Sequence, residues 1–317
     1  MKKKILISKA MPEKVLAAVR DRYDVTLRET EDGMSEAEVT EALSHYDALL
    51  PTLGDHFTAA AISAATDPKC GLIANFGMGY NHIDVAAARE KGIPVTNTPG
   101  AVTDATADIA MTLILMTARR AGEGERLVRA GNWTGWQPTQ MLGLHVSGRT
   151  VGIIGMGRIG QAIAKRCRDG FGCRIVYANR SPKPVEGAEQ LASATEVAAR
   201  ADIVVAATPG GTQTHHLIGQ EIFDAMQPHA IFVNISRGDV VDETALIAAL
   251  HSGSIAGAGL DVFEFEPKVP EALLAMENVA LLPHLGTAAL EVREAMGMIA
   301  VDNINAYFDG KPLISPV

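Results

Sequence analysis

The chain has 317 residues, 47% of them hydrophobic and 21% charged, a balance that is ordinary for packed globular proteins and excludes the disordered and fibrous classes. A chain of this length exceeds the usual size of one hydrophobic core, so two domains are expected. The net charge of −9 at pH 7 argues against a nucleic-acid partner, because phosphate contacts need a basic face.

The N-terminal residues MKKKILISKA are basic and then apolar. The apolar stretch is too short for the core of a signal peptide, so it predicts the first strand of a cytoplasmic protein. No run of about eighteen apolar residues is present, and no membrane partner is expected. Cys70, Cys167 and Cys173 lack CxxC spacing, which favours reduced, buried thiols over disulfides or zinc ligands.

Short β-rich runs alternate with helix-length segments in the first third of the chain, a rhythm that predicts a parallel sheet covered by helices. These runs are KILIS, YDVTL, DALLP, GLIANF and IPVTN. Residues 101–131 then show helical apolar spacing, with Asp104 and Asp108 near the start, which predicts one connecting helix.

A second series of β-rich runs starts at Thr150 and predicts a six-stranded doubly wound sheet. Its members are TVGIIG, RIVYA, DIVVAAT, AIFVNIS, AGAGLDV and VALLPH. Residues 288–309 predict a helix that returns to the first domain. The expected fold class is α/β, with two Rossmann-like doubly wound parallel-sheet domains. The first is discontinuous and flavodoxin-like and spans 1–99 plus 287–317; the second spans 100–286.

A GxGxxG motif begins at the last glycine of the run TVGIIG and opens a helical segment. Its first glycine permits the tight turn, the second lets a pyrophosphate approach backbone N–H groups, and the third lets helix and strand pack closely. The motif therefore predicts a dinucleotide site formed by Gly155, Met156, Gly157, Arg158, Ile159 and Gly160.

The end of the next strand bears on which dinucleotide binds. NAD-binding proteins place an acid about 20 residues after the motif to accept from the ribose 2′-OH, whereas an arginine accommodates the 2′-phosphate of NADP. Here the strand ends in Asn179, Arg180 and Ser181, with no carboxylate. NADP is therefore favoured, with Lys183 adding positive charge, but Asn179 alone could serve a 2′-OH, which keeps NAD as the alternative.

Charged residues follow three later strands of the same sheet: Arg237 after AIFVNIS, Asp261 and then Glu266 after AGAGL, and His284 after VALLP. Ligands bind outside the carboxyl ends of such strands, so these side chains are expected to converge. Hydride addition to a ketone leaves negative charge on oxygen. His284 can donate the proton, Arg237 can address the carboxylate and carbonyl of a 2-keto acid together, and Glu266 would favour the protonated imidazole.

At these residues the sequence resembles the D-isomer-specific 2-hydroxyacid dehydrogenase family, and the resemblance runs over nearly the whole chain. The matching stretches are GMGYNHID, NTPG, VTDATAD, VGIIGMGRIGQAIA, NISRGDVVDETAL, GAGLDVFEFEP and LLPHLGTA. It implies that Arg237 orients the substrate, Glu266 supports the histidine and His284 donates the proton. It also implies that Asp261 holds the nicotinamide carboxamide. The implied cofactor-lining positions are Thr208, Pro209, Ile235, Ser236 and Gly286.

The resemblance makes 100–286 the dinucleotide-binding domain and the discontinuous domain the substrate-binding one. In the latter, the N–H groups of Gly77, Met78 and Gly79 would form an anion nest for the substrate carboxylate. The alternative is a plain glycine turn with Met78 as core filler.

The stretches LGDHF and GNWTGWQPTQMLG resemble the glyoxylate and hydroxypyruvate reductase branch, which typically uses NADPH. The expected reaction is NADPH-dependent reduction of one of these keto acids to the D-2-hydroxy acid; bulkier 2-keto acids remain an alternative. Leu53 would line the pocket. A homodimer is expected, in which Trp136, or else Trp133, reaches the partner's site, although both aromatics could simply bury the dimer arm.

Other interpretations are less favoured. A non-enzymatic, corepressor-like dinucleotide sensor would not need the three charged positions. A phosphoglycerate enzyme with a regulatory domain is not expected, because the chain ends soon after the returning helix. No metal site is expected at His215 and His216, because neighbouring side chains should point apart and no carboxylate is close in sequence.

Overall fold

A computed structural model describes residues 1–317 and divides into two units. The first unit comprises Met1–Val102 and Ala288–Val317, and the second comprises Thr103–Thr287. From the sequence the boundaries were expected after residues 99 and 286. No helix is long and apolar enough to cross a membrane.

The first unit contains a five-stranded parallel sheet with the order β2-β1-β3-β4-β5. This flavodoxin-like order arises because the chain reverses direction across the sheet once, after β2. The strands are β1 (Lys4–Ile7), β2 (Asp24–Leu27), β3 (Ala48–Leu50), β4 (Ile73–Ala74) and β5 (Val95–Thr96). The helices are α1 (Glu13–Arg22), α2 (Glu36–His45), α3 (Ala59–Ala64), α4 (Val85–Glu90) and the returning helix α12 (Leu290–Phe308).

Alternation along β1 gives the first sheet two covered faces. Ile5 and Ile7 pack with α1 and α12, where Ile304 is fully buried, whereas Leu6 joins the opposite core with Leu43 of α2. Successive strand side chains point to opposite faces, so a strand buried on both sides needs an unbroken apolar run. Ile5, Leu6 and Ile7, all buried, meet this requirement, whereas Lys4 at the start of the strand is exposed.

The second unit contains a seven-stranded parallel sheet with the order β12-β11-β10-β9-β6-β7-β8. Its strands are β6 (Thr150–Ile154), β7 (Arg174–Ala178), β8 (Ala188–Gln190), β9 (Ile203–Ala206), β10 (Ile231–Asn234), β11 (Gly257–Leu260) and β12 (Val279–Leu281). Its helices are α5 (Thr103–Ala118), α6 (Ala121–Arg129), α7 (Arg158–Phe171), α8 (Ala194–Arg200), α9 (Gln220–Ala225), α10 (Glu243–Ser252) and α11 (Glu271–Ala275), with a short 3₁₀ turn at Gly238–Val240.

Two apolar cores cover the second sheet. Val151 and Ile153 of β6 pack with Leu113 of α5 on one face, whereas Val204 of β9 packs with Phe223 of α9 on the other. The sheet reverses its winding between β6 and β9. This is the topological switch point, where open α/β sheets bind ligands.

The predicted fold class is confirmed, but two predictions within it are wrong. The second sheet has seven strands rather than six, because β8 is a short edge strand. It carries the polar residues Glu189 and Gln190 and pairs only with β7, so it needs no apolar run.

The segment 101–131 is not one helix. It breaks between α5 and α6 at Arg120, whose φ of 51° is left-handed. The Arg120 guanidinium bonds Glu123, and the N–H of Leu144 donates to the carbonyl of Ala118 at the end of α5. These contacts come from side chains and a distant loop, so helical periodicity does not reveal the break.

Candidate active site

The glycine motif forms the turn between β6 and α7. Gly155 has a φ of +102°, and a Cβ there would lie 2.7 Å from the carbonyl oxygen of Ala207, the residue after β9. A Cβ on Gly160 would lie 2.3 Å from the Gly155 oxygen. Only glycine therefore lets this turn fit against β9 and lets α7 begin directly above it.

The same turn has the features of a dinucleotide cradle. The N-cap of α7, Gly157, makes no side-chain cap, so the first N–H groups of a helix of 14 residues are available to an anion. Thr208, across the switch point, has a buried hydroxyl with no hydrogen-bond partner. Met156 is fully buried and Ile159 packs in the core, so these two positions offer backbone groups only. The residues fit a dinucleotide.

The strand after the motif ends in an exposed polar corner. The Asn179 amide donates to the carbonyl of Ser181 at 3.0 Å, and the Arg180 guanidinium donates to the side-chain oxygen of Gln213 at 2.7 Å. Gln213 is neutral, so the positive charge of Arg180 is not compensated by this contact. The corner therefore offers a cation and no carboxylate to a bound ribose.

His284 and Glu266 form a hydrogen-bonded pair. Nδ1 of His284 lies 2.9 Å from Oε2 of Glu266, whose Oε1 accepts the N–H of Phe263 at 3.0 Å. Burial alone would raise the pKa of Glu266, but the hydrogen bond from His284 and the charge of Arg237 hold it below its ordinary value. Glu266 is therefore a carboxylate at neutral pH that fixes the imidazole ring through this hydrogen bond.

Asp261 holds the backbone that carries the histidine. His284 has a φ of 53°, a left-handed conformation that costs a non-glycine residue on the order of 1–3 kcal/mol. Its N–H donates to the carbonyl of Asp261, and the Asp261 carboxylate accepts the N–H groups of Leu285 and Gly286 at 2.6 and 2.8 Å. Burial raises the pKa of Asp261, an effect that the Leu285 N–H opposes. The Asp261 carboxylate is therefore already engaged by backbone N–H groups of the segment that carries His284.

Arg237 follows β10 and is partly buried. Its guanidinium donates to the carbonyl of Ser236 at 2.7 Å. Burial lowers the pKa of Arg237, whereas the charges of Glu266 and Asp239 oppose this effect. Because Glu266 acts electrostatically on Arg237 and bonds His284, the structure brings these three predicted residues together.

Two further residues position the site but are not predicted from the sequence. Asn234, buried at the end of β10, accepts from Ser236 N–H and hydroxyl and donates to the carbonyl of Arg237. Glu243, at the start of α10, accepts the N–H of Glu264 at 2.9 Å and so holds the segment that leads to Glu266. In both cases, the sequence feature that could have indicated the residue is a polar side chain at the end of an apolar run.

The prediction that His215 and His216 point apart, with no carboxylate nearby, is wrong. Their rings do not point apart but stack with centroids 4.0 Å apart, and Nε2 of His216 lies 2.8 Å from Oε1 of Glu264. His216 has a left-handed φ of 50°, which breaks the side-to-side alternation of an extended chain. The carboxylate comes from a distant segment, which sequence proximity cannot show.

Comparison with known proteins identifies the chain. Residues 111–286 match the model for the D-isomer specific 2-hydroxyacid dehydrogenase, NAD binding domain. A glyoxylate reductase of Thermococcus onnurineus is 43% identical, covering 98% of this chain and 94% of that protein. The chain belongs to the D-isomer specific 2-hydroxyacid dehydrogenase family. It is thus a nicotinamide-dinucleotide-dependent dehydrogenase of the glyoxylate reductase type, which confirms the resemblance.

Two further proteins are similar to this dehydrogenase over most of its length. A hydroxyphenylpyruvate reductase of Plectranthus scutellarioides is 45% identical over 79% of each chain. The solved structure of an NADPH-dependent glyoxylate/hydroxypyruvate reductase of Sinorhizobium meliloti, in complex with NADP and malonate, superposes with a TM-score of 0.89. The two sequences are 36% identical, and the superposition covers 100% of this chain and 97% of the Sinorhizobium meliloti chain.

In the first unit of the dehydrogenase, the turn at Gly77–Gly79 is fixed through its carbonyl groups. The buried Asn75 amide donates to the carbonyls of Gly77 and Gly79 at 3.1 and 3.0 Å, and Asn97 donates to that of Met78. The N–H groups of Met78 and Gly79 donate to no other residue. Met78 is 39% exposed, so it is not core filler. Leu53 is also exposed, at 41%.

One cavity of the second unit lies away from the predicted site residues. It measures about 570 Å³ and is lined by residues at the amino ends of the strands, among them Ile231 and Val279, together with Leu142. None of the predicted site residues of the dehydrogenase lines it. Because ligands of such sheets bind at the carboxyl ends, this cavity is not the candidate active site.

Proposed function

We propose that this dehydrogenase reduces glyoxylate or hydroxypyruvate to the D-2-hydroxy acid, with NADPH as hydride donor and His284 as proton donor. The observation that carries the proposal is the 2.9 Å hydrogen bond between His284 Nδ1 and Glu266 Oε2, beside the positive charge of Arg237. A proton donor, its supporting carboxylate and a cation are the groups that reduction of a 2-keto acid requires.

Each group has a defined part in the proposed reaction. When bound, the reduced dinucleotide supplies the hydride that adds to the keto carbon. The imidazolium of His284 donates through Nδ1–H to Glu266, which leaves the proton on Nε2 for the keto oxygen. The Arg237 guanidinium stabilises the negative charge on that oxygen and binds the substrate carboxylate. Hydride and proton together convert the ketone into the alcohol.

The preference for NADPH rests on the corner at the end of β7. Arg180 presents a planar fork of donors suited to a phosphate, and Asn179 and Ser181 supply further polar groups. A carboxylate there would repel a 2′-phosphate, and none is present. Asp261, Pro209, Ile235, Ser236 and Gly286 are proposed to contact the rest of the dinucleotide, with Thr208 donating its unpartnered hydroxyl.

We propose that the N–H groups of Met78 and Gly79, in a turn whose carbonyls are already engaged, bind the substrate carboxylate. The Gly77 N–H, predicted to join them, instead donates to the carbonyl of Asn75 at 3.1 Å. Leu53 is proposed to contact the small side chain of the keto acid, as an exposed apolar residue of the same unit.

A homodimer is part of the proposal. Apolar side chains are exposed along residues 115–142: Leu115, Val128, Trp133, Trp136 and Leu142. Such a run is typical of a protein interface. Trp136, at 80% exposure, is proposed to reach the partner's site; Trp133, at 53%, is the other candidate.

A bulkier 2-keto acid is the second candidate substrate, favoured by the 45% identity to a hydroxyphenylpyruvate reductase. Steady-state assays of glyoxylate, hydroxypyruvate, pyruvate and phenylpyruvate, each with NADPH and NADH, separate the candidates. The proposal expects the highest kcat/KM for glyoxylate or hydroxypyruvate with NADPH. Preference for phenylpyruvate supports the second candidate, and absence of turnover with all four refutes both.

A further inference from the structure

Two histidines of the loop after β9 and a glutamate of the segment after β11 form a cluster that has no part in the proposed reaction. The cluster consists of His215, His216 and Glu264, and one ligand atom from each lies within 4.8 Å of the other two. Both histidines are exposed, while the Glu264 side chain is only 13% exposed. A small ion can therefore reach the two imidazoles from solvent and find a carboxylate beneath them.

We propose that this cluster binds a divalent transition-metal ion, with Zn²⁺ as the best match. Two imidazole nitrogens and one carboxylate oxygen form a donor set that Zn²⁺ accepts, whereas Mg²⁺ and Ca²⁺ prefer oxygen ligands. Tetrahedral ligands about 2.1 Å from Zn²⁺ lie roughly 3.4 Å from one another. The three ligand atoms, which lie within 4.8 Å of one another, would close to that spacing around the ion, with water completing the tetrahedron.

The backbone holds the ligands before any ion arrives. The left-handed φ of 50° at His216 turns its ring onto that of His215. The His216 N–H donates to the carbonyl of Asp239 at 2.8 Å, and the Glu264 N–H donates to Glu243 at 2.9 Å. Preorganised ligands lose little conformational freedom on binding, which favours a defined site over a chance contact.

Charge also favours a cation here. Glu243 accepts the Glu264 N–H, and Glu266 lies two residues further along the chain, so three carboxylates lie close together and repel one another. An ion at Glu264 would relieve this repulsion. It would also connect the loop after β9, which carries Thr208, to the segment after β11, which carries Glu266.

Other candidate zinc ligands in the chain are poorly suited. Burial raises the pKa of Cys70 and Cys167 to about 12, so neither supplies a thiolate. His229 lies 2.7 Å from Asp202, but this carboxylate also bonds Arg149 and no second imidazole is present. His229 is therefore a matched control for the cluster.

The test is a Zn²⁺ titration of the full-length, untagged, chelator-stripped protein, monitored by calorimetry and by the melting temperature. We expect one Zn²⁺ per chain and a rise in melting temperature, because an ion that binds only the folded state stabilises it. His215→Ala, His216→Asn and Glu264→Gln should each abolish both effects. Asparagine tolerates the left-handed backbone, and glutamine keeps the shape of glutamate, so these variants are expected to fold.

Two control variants locate the ion. His229→Ala should bind Zn²⁺ like the parent, and so should His284→Ala, which removes the other histidine–glutamate pair. Binding that persists in the three cluster variants, that disappears in either control, or that is undetectable in the parent would overturn the proposal. Because the readouts are binding and stability, failure here is distinct from failure of the proposed reaction.

Discussion

Glu266 makes two different contacts with its two carboxylate oxygens: Oε2 lies 2.9 Å from Nδ1 of His284, and Oε1 accepts the N–H of Phe263. The imidazole is thus tied through one carboxylate to a fixed stretch of backbone. Its ring cannot turn without breaking a charge-assisted hydrogen bond, which is worth about 1.5–3 kcal/mol. The pairing occupies Nδ1 and leaves Nε2 as the ring nitrogen that does not contact Glu266.

Glu266→Gln should lower the rate of keto-acid reduction about ten- to a hundredfold, the loss that corresponds to one hydrogen bond to a charged group. Steady-state assays at pH 7 measure kcat and KM. Glu264→Gln, on the same segment, is the control; a rate for Glu266→Gln equal to that of Glu264→Gln would contradict the assigned role.

Arg180→Asp should raise KM for NADPH more than KM for NADH, because a carboxylate repels the 2′-phosphate and accepts from a 2′-OH. Lys183→Asp makes the same change of charge in the same loop. It should affect NADPH less, since a lysine offers no planar fork. Equal changes in the two KM values for Arg180→Asp would remove this account of cofactor choice.

Gly238→Ala should disturb the site without touching a reacting group. A Cβ at Gly238 would lie 1.9 Å from the carbonyl oxygen of Phe263, so the segment carrying Glu266 must move relative to Arg237. Overpacking of this kind costs about 1–3 kcal/mol, visible as a lower melting temperature together with a lower kcat. Gly170→Ala is the control, because a Cβ there meets nothing within 4 Å and alanine favours the helix. Equal activity of the two variants would contradict the close approach of Gly238 to Phe263.

The sequence identified the residues that share an edge of the sheet but not those that hold them. Strand-end positions placed Arg237, Glu266 and His284 together, because parallel strands end on one side. The supporting contacts of Asn234 and Glu243 join segments that are distant in sequence or bend sharply, and no periodicity encodes such contacts. The same reason hid the pairing of His216 with Glu264.

Glu243 gives a stability prediction with a defined sign. Burial and the charges of Glu264 and Glu266 raise its pKa in the folded state above the ordinary value. The folded protein then binds the proton more tightly than the unfolded chain, so stability is lost as pH rises from the unfolded pKa through the folded one. Glu243→Gln mimics the protonated acid and still accepts the Glu264 N–H.

Thermal unfolding of the parent and Glu243→Gln should therefore give similar melting temperatures near pH 4 and a higher value for the variant near pH 8. A variant that is less stable than the parent at pH 8 would show that the charged hydrogen bond outweighs the cost of burial.

The most direct test of the reaction is a single-turnover measurement of glyoxylate reduction by His284→Ala with saturating NADPH, alongside the NADPH dissociation constant. Loss of a general acid should slow hydride transfer about 100- to 10,000-fold while NADPH affinity stays close to that of the parent. A near-normal rate of hydride transfer in His284→Ala would contradict the assignment of the proton to His284.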